Sequence, residues 1–126
     1  MNLQSMLDFA LDAVWQAGRI TLGYFQAGIQ VERKGDSSPV TVADREAEQR
    51  LRQLISRNFP QHGMIGEEFG EQPSSSGLTW VIDPIDGTKS FTCGVPLYGC
   101  LLALVEGDQP LVGVAHFPAL NEMIYA

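Results

Sequence analysis

The run TWVIDPIDGTKSF, residues 79–91, is the feature that most limits how this chain can fold. Its apolar first part predicts a buried strand over Thr79–Asp83. Two aspartates, Asp83 and Asp86, follow three residues apart. Carboxylates at the end of a buried strand repel each other and are costly to dehydrate. A fold that places them there must also supply solvent or an opposite charge.

Two helical patterns precede this strand. Apolar residues at helical spacing predict a first helix over about 3–27, which ends near Gly28. A second helix is predicted to begin near Thr41 and to stop at Pro60. Its first residues have the form of a capping signal, in which Asp44 favours the helix start through the helix dipole.

Strand-like runs dominate the rest of the chain. Residues 63–70 predict a short strand that leaves into a loop, and residues 71–77 predict a polar loop. Three further runs predict strands, at 97–105, 111–117 and 122–126. Two helices followed by mostly antiparallel strands predict an α+β fold, with the helices packed on one face of the sheet. Because the chain stops within a strand pattern, the domain is expected to be incomplete.

Composition excludes several classes of protein. The 126 residues are 44% hydrophobic, which is enough for one packed domain. A net charge of -7 with only eight Lys and Arg argues against nucleic-acid binding. No apolar run approaches the roughly 20 residues of a membrane span, so a cytoplasmic protein without membrane contact is expected. Cys93 and Cys100 lack metal-ligand spacing and are expected to be reduced and buried.

Two acidic segments suggest a cation site. Mg²⁺ prefers oxygen ligands and usually takes one or two carboxylates together with waters. Pro84 would stiffen a tight turn, so that Asp83 and Asp86 converge with the carbonyl of Ile85 between them. In the upstream segment GEEFG only one of two adjacent glutamates can face the same ion if the chain is extended. Glu67 is taken as that ligand, and its neighbour as a supporting or solvated residue.

The residues after the aspartates suggest a phosphate site. Gly87 lets the backbone pass close to a ligand without a Cβ clash. Thr88 and the two residues after it would open a helical turn whose free N–H groups can bind phosphate. The same letters are also typical of a plain turn, and paired glutamates are usually surface residues. From the residues alone, metal binding and a structural turn therefore remain open alternatives.

Three segments in order carry a more specific signal. SPVTVADREAE, then GEEFG, then WVIDPIDGTKSF resembles the inositol monophosphatase family, whose members are Mg²⁺-dependent phosphatases. The form DGTKSF followed by GVPLYGCLLAL most resembles the histidinol-phosphate phosphatase branch. The resemblance covers nearly the whole chain, but family members are considerably longer. It implies that residues 1–126 are the N-terminal, metal-binding half of a layered α/β/α/β/α sandwich, with the C-terminal half absent.

The resemblance also implies a set of metal ligands. Glu67, Asp83 and the Ile85 carbonyl would hold one Mg²⁺ ion. Asp83 and Asp86 would hold a second ion, so that Asp83 bridges the two.

Catalytic roles follow from the same resemblance. Asp44 and Thr88 would orient and activate the attacking water, and the backbone amides of Gly87 and Thr88 would hold the phosphate. The implied reaction is hydrolysis of a small phosphate monoester, either histidinol phosphate or an inositol phosphate. A fragment that binds metal but needs its missing half or a partner is the alternative. Because the family is commonly dimeric, a homodimer is the assembly that the resemblance implies.

Overall fold

The computed structural model describes residues 2–27, 32–33, 39–40 and 42–126, with only the backbone given for the two short segments. The helices are α1 (Leu3–Tyr24), α2 (Val42–Asn58) and α3 (Thr88–Thr92). The strands are β1 (Glu32–Arg33), β2 (Pro39–Val40), β3 (Gly63–Gly66), β4 (Gly70–Gln72), β5 (Leu78–Asp86), β6 (Gly99–Glu106), β7 (Gln109–Phe117) and β8 (Glu122–Tyr125). A single 3₁₀ turn, Pro118–Leu120, links β7 and β8 among these residues.

A six-stranded sheet forms the centre of the described fold, in the order β4-β3-β5-β6-β7-β8. β3 and β5 run parallel, and the other neighbours in this sheet are antiparallel. β1 and β2 form a separate antiparallel pair. The predicted α+β class, with helices on a mostly antiparallel sheet, is confirmed.

Two predictions about local structure were incomplete. Residues 71–77 were expected to be a loop, but Glu71 and Gln72 belong to β4, which pairs with β3. All of β4 is exposed, so it lacks the apolar residues by which a strand is recognised in sequence. The first helix ends at Tyr24. Gly28, where its end was expected, lies outside the described residues, as does Thr41 at the expected start of the second helix.

Helices α1 and α2 pack on one face of the sheet. Small residues of α1, including Ala10 and Ala17, are fully buried and let the helix lie close to the strands. Trp80 of β5 is the largest buried side chain in this core, and its ring packs against Phe9 of α1 and Phe59. The buried Trp80 indole satisfies its N–H by donating to a histidine nitrogen 3.0 Å away.

The described residues leave the opposite face of the sheet open. Val81 is 39% exposed and Ile124 is 64% exposed. With Leu101 and Ala103, these residues line an apolar groove of about 550 Å³. The described chain therefore covers one face of its sheet with helices and leaves the other to solvent.

The two cysteines differ from expectation. Both are free thiols, as predicted, but Cys93 is exposed while Cys100 is buried. Cys93 follows the short helix α3 at its C-terminal end, outside the sheet, whereas Cys100 lies on β6 inside the core. None of the described helices combines the length and apolar character that crossing a membrane requires.

Helix α1 touches β7 at a glycine. A Cβ atom on Gly18 would lie 2.6 Å from the ring of His116 and 3.0 Å from Pro118. The His116 ring is buried, and its Nδ1 lies 3.1 Å from the carbonyl oxygen of Glu122. Because the ring is anchored there, it cannot easily move aside for an added methyl group.

We expect Gly18→Ala to lower the free energy of unfolding by about 1–3 kcal/mol through overpacking. Gly23→Ala is the matched control in the same helix, since a Cβ there meets no atom within 4 Å. That control should be neutral or stabilise by about 0.5–1 kcal/mol, because Ala favours helix. Urea denaturation of both variants makes the comparison, and equal stabilities would show that the His116 ring yields.

Candidate metal and phosphate site

The parallel pairing of β3 and β5 sets where the first acidic residues lie. Gly66 is aligned with Ile82, so Glu67 comes directly after β3 beside the strand position of Asp83. Carboxyl ends of parallel strands meet at one edge of a sheet. Glu67 is exposed and Asp83 is half-buried. The structure therefore brings these two predicted ligands to the same end of the sheet.

A bulge in β5 sets the direction of Asp86. Asp83 is aligned with Leu101 of β6 and Asp86 with Gly99, so three steps along β5 match two along β6. One extra residue reverses the alternation of side chains. Asp86 thus returns to the face that Asp83 occupies, while Ile85 is 2% exposed and points into the core.

This bulge corrects the prediction of a tight turn. Asp83 and Asp86 do not sit at opposite ends of a turn, because β5 continues through both residues. Pro84 explains the bulge, since proline has no N–H to donate and is accommodated in a central strand where the ladder is broken. A bulge, and not a tight turn, thus sets the relation between the two residues, and the convergence of their carboxylates on one ion stays a prediction.

The predicted helical turn after the aspartates is present as α3. Gly87 precedes it with φ of 86°, a left-handed conformation that glycine adopts without strain. The Gly87 carbonyl accepts the N–H of Phe91 at 3.0 Å. The Thr88 hydroxyl donates to the Ile85 carbonyl at 3.1 Å, which leaves a second lone pair on that carbonyl.

The N-terminus of α2 lies against the same segment. Ala43 packs in a buried cluster with Ile85 and Tyr98. The next residue, Asp44, is only 3% exposed and stands in the first turn of α2. The structure therefore places Asp44 close to the bulge.

The pKa of the Cys100 thiol depends on the charges around it. The pKa of this thiol is raised to about 12, chiefly by burial and in smaller part by the negative charges of Asp83 and Asp44. Both carboxylates thus act on one buried position of β6. Asp44 and Asp83 belong to the same electrostatic environment, although they come from different elements.

The described residues contain no group of three or more His, Cys, Asp or Glu side chains arranged to hold one metal ion. Mg²⁺ commonly binds through only one or two protein carboxylates, with water and substrate oxygens completing its shell. The predicted sites need two carboxylates each, Glu67 with Asp83 and Asp83 with Asp86. These carboxylates are hard oxygen donors, and the strand register and the bulge bring them to one end of the sheet, which fits an ion such as Mg²⁺. The assignment of individual ligands stays a prediction.

One buried acidic residue was missed by the sequence reasoning. Glu48 of α2 is fully buried, and its carboxylate accepts the N–H groups of Glu68 and Phe69 at 3.2 and 3.1 Å. Residues 67–69 form the turn between β3 and β4, so they are not extended as the choice between the two glutamates assumed. The available signal was a charged residue on the apolar face of α2, four residues after Asp44.

The sequence profile of the inositol monophosphatase family matches residues 2–126. The chain belongs to the inositol monophosphatase family. A histidinol-phosphatase from Chlorobaculum parvum is 54% identical over 122 residues, which cover 95% of this chain and 47% of that protein. A histidinol-phosphatase from Mycobacterium tuberculosis is 42% identical and is covered to 46%. The predicted resemblance to the histidinol-phosphatase branch is confirmed.

Solved structures of the inositol monophosphatase family share this fold. An IMPase from Thermotoga maritima superposes with a TM-score of 0.90 at 35% identity, over 97% of this chain and 48% of that one. The chain thus spans about half the length of the relatives that it matches.

In this chain, as a member of the inositol monophosphatase family, we expect Gly87→Ala to lower the free energy of unfolding by about 1–2 kcal/mol, because Ala is strained at positive φ. Gly77→Ala is the matched control, with φ of 84° and no atom within 4 Å of an added Cβ. An added Cβ on Gly87 meets its nearest atom only at 3.7 Å, so backbone strain should dominate in both variants. Equal losses in urea denaturation are expected, and a much larger loss for Gly87→Ala would reveal packing constraints at the turn.

Proposed function

We propose that this chain carries the metal- and phosphate-binding half of a Mg²⁺-dependent phosphomonoesterase. The observation that carries the proposal is the placement of Glu67, Asp83 and Asp86 at one end of the sheet by strand register and a bulge. Family membership supports it, since relatives that match the chain are named as phosphatases.

The ligand roles follow the predicted assignments. Glu67, Asp83 and the Ile85 carbonyl would hold one Mg²⁺ ion, and Asp83 and Asp86 would hold a second. When bound, such ions supply Lewis acidity and neutralise charge on the phosphoryl group. The half-buried position of Asp83 suits a ligand shared between two sites, because partial burial strengthens its attraction for cations.

Asp44 and Thr88 are proposed to orient the attacking water and to receive its proton. The Thr88 hydroxyl donates a hydrogen bond to the Ile85 carbonyl, so its lone pairs can accept from a water O–H and orient that water, while the proton lost by the water would go to the Asp44 carboxylate. The backbone amides of Gly87 and Thr88 are proposed to hold the phosphate. Gly87 allows this approach because no side chain covers its backbone.

Histidinol phosphate is the first proposed substrate, because the two relatives described above are named for it. An inositol phosphate is the second, since a relative from Mesembryanthemum crystallinum at 34% identity is named inositol monophosphatase. The proposed partner is thus a small phosphorylated metabolite and neither nucleic acid nor membrane, in keeping with the net charge of -7. A cytoplasmic homodimer completes the proposal.

A second candidate is a metal-binding half that needs further chain for catalysis. The open apolar face of the sheet favours this candidate, because such a surface is usually covered by another element. The relatives are about twice as long, which agrees with it. In this case residues 1–126 would bind Mg²⁺ without turning over substrate.

We expect Asp83→Asn to abolish Mg²⁺-dependent phosphate release and to weaken Mg²⁺ binding at least about tenfold, because it removes the shared charge. Phosphate release is measured with histidinol phosphate, an inositol phosphate and adenosine 3′,5′-bisphosphate, and binding by calorimetry. Asp8→Asn, on the exposed surface of α1, is the matched control and should match the unmodified chain.

The outcomes separate the candidates. Turnover and binding that both require Asp83 support the phosphatase. Binding that requires Asp83 without turnover supports the incomplete half. Near-normal turnover or binding in Asp83→Asn contradicts the metal assignment.

A further inference from the structure

We propose that Glu48 is a positioning residue, which fixes the turn after β3 and thereby sets how tightly Glu67 and Asp83 bind their cation. The inference rests on the metal site proposed above. Glu48 touches neither the cation nor the substrate in this proposal, and it acts through the backbone of the turn.

The contacts of Glu48 are directed at that turn. Its carboxylate is fully buried and receives the N–H of Glu68 at 3.2 Å and that of Phe69 at 3.1 Å. These two residues follow Glu67 directly, so the hydrogen bonds fix the chain where the predicted ligand leaves β3. A Cβ on Gly66 would lie 2.4 Å from the Glu48 carboxylate, which shows how closely the carboxylate meets the strand end.

Arg52, on the same helix, adds further contacts to Glu48 and to the turn. Its Nε lies 3.0 Å from the Glu48 carboxylate, one helical turn away. Its guanidinium also donates to the carbonyl of Gly70, where β4 begins, and lies 6.0 Å from the ring centroid of Phe69. The ion pair on α2 therefore holds both ends of the turn between β3 and β4.

The cost of this arrangement argues that the position of the turn matters. A turn at an exposed sheet end could satisfy its N–H groups with water, at little cost in stability. Burying a carboxylate is expensive unless it is paired and hydrogen-bonded, as Glu48 is. A carboxylate that accepts two consecutive backbone N–H groups constrains both the position and the direction of the chain, so Glu48 restricts how the turn leaves Glu67.

We expect Glu48→Gln to raise the dissociation constant for Mg²⁺ about tenfold, as is usual when a group supporting a metal ligand is changed. Isothermal titration calorimetry on the full chain, with Mg²⁺ as the only added ligand, provides the measurement. Glu46→Gln is the matched control on the same helix, since the Glu46 carboxylate is exposed and accepts the Tyr24 hydroxyl rather than the turn. It should leave the dissociation constant unchanged.

A loss of general stability must be told apart from a loss of positioning. Val112→Ala serves here, because it leaves a cavity in the core at a position of β7 aligned with Leu104 rather than with the β6 residues beside Asp83 and Asp86, and it should bind Mg²⁺ normally. If Glu48→Gln is too unstable for calorimetry, the rise of its urea midpoint with added Mg²⁺ gives the same comparison through linkage. Equal Mg²⁺ affinity or Mg²⁺-induced stabilisation in Glu48→Gln and Glu46→Gln would overturn the proposal, as would an equal weakening of Mg²⁺ binding by Val112→Ala.

Failure of this inference is distinguishable from failure of the proposed function. If Asp83→Asn loses Mg²⁺ binding while Glu48→Gln keeps it, the metal site stands and the role of Glu48 is wrong. If Asp83→Asn binds Mg²⁺ normally, the metal site itself is wrong, and the positioning role is overturned with it.

Discussion

The parallel pairing of β3 with β5 is the constraint on which the rest of the site depends. Two strands that run in the same direction bring their carboxyl ends together, and here those ends carry Glu67 and Asp83. An antiparallel neighbour would have placed the two residues at opposite ends of the sheet. The bulge in β5 then adds Asp86 to the same face. Strand order and a single extra residue thus gather the acidic groups that lie apart in sequence.

Bringing negative charges together requires compensation from the surrounding structure. Helix α2 provides two forms of it. Its N-terminus, where Ala43 packs on Ile85, carries the partial positive charge of the helix dipole and lies beside the bulge. Further along, Arg52 pairs with the buried Glu48, so this carboxylate adds little net negative charge to the site. Helix α2 therefore offsets part of the negative charge at the bulge and fixes the neighbouring turn.

Sequence patterns predicted the positions of helices and strands better than the way these elements pair and contact one another. Periodicity located both long helices and the strands with apolar faces, because burial of one face leaves a visible repeat. The exposed β4 left no such repeat, and no local pattern indicates that β3 pairs with β5 across the intervening hairpin. Pro84 in a central strand was a usable cue for the bulge, but it was read as part of a turn. Glu48 was missed because its hydrogen bonds join residues twenty positions apart.

The location of the site also limits what this half of the fold can select. Relatives named histidinol-phosphatase, inositol monophosphatase and fructose-1,6-bisphosphatase/inositol-1-monophosphatase all match over nearly the whole of this chain, at 54%, 34% and 32% identity. Features that these relatives share in this segment cannot be what distinguishes their substrates. Cation and phosphate chemistry is common to every phosphate ester, and the proposed roles of Asp83, Asp86 and Gly87 concern that chemistry alone. Under the proposed function, recognition of the alcohol would depend on groups other than the acidic sheet end, and the sheet face that the described residues leave open has room for such groups.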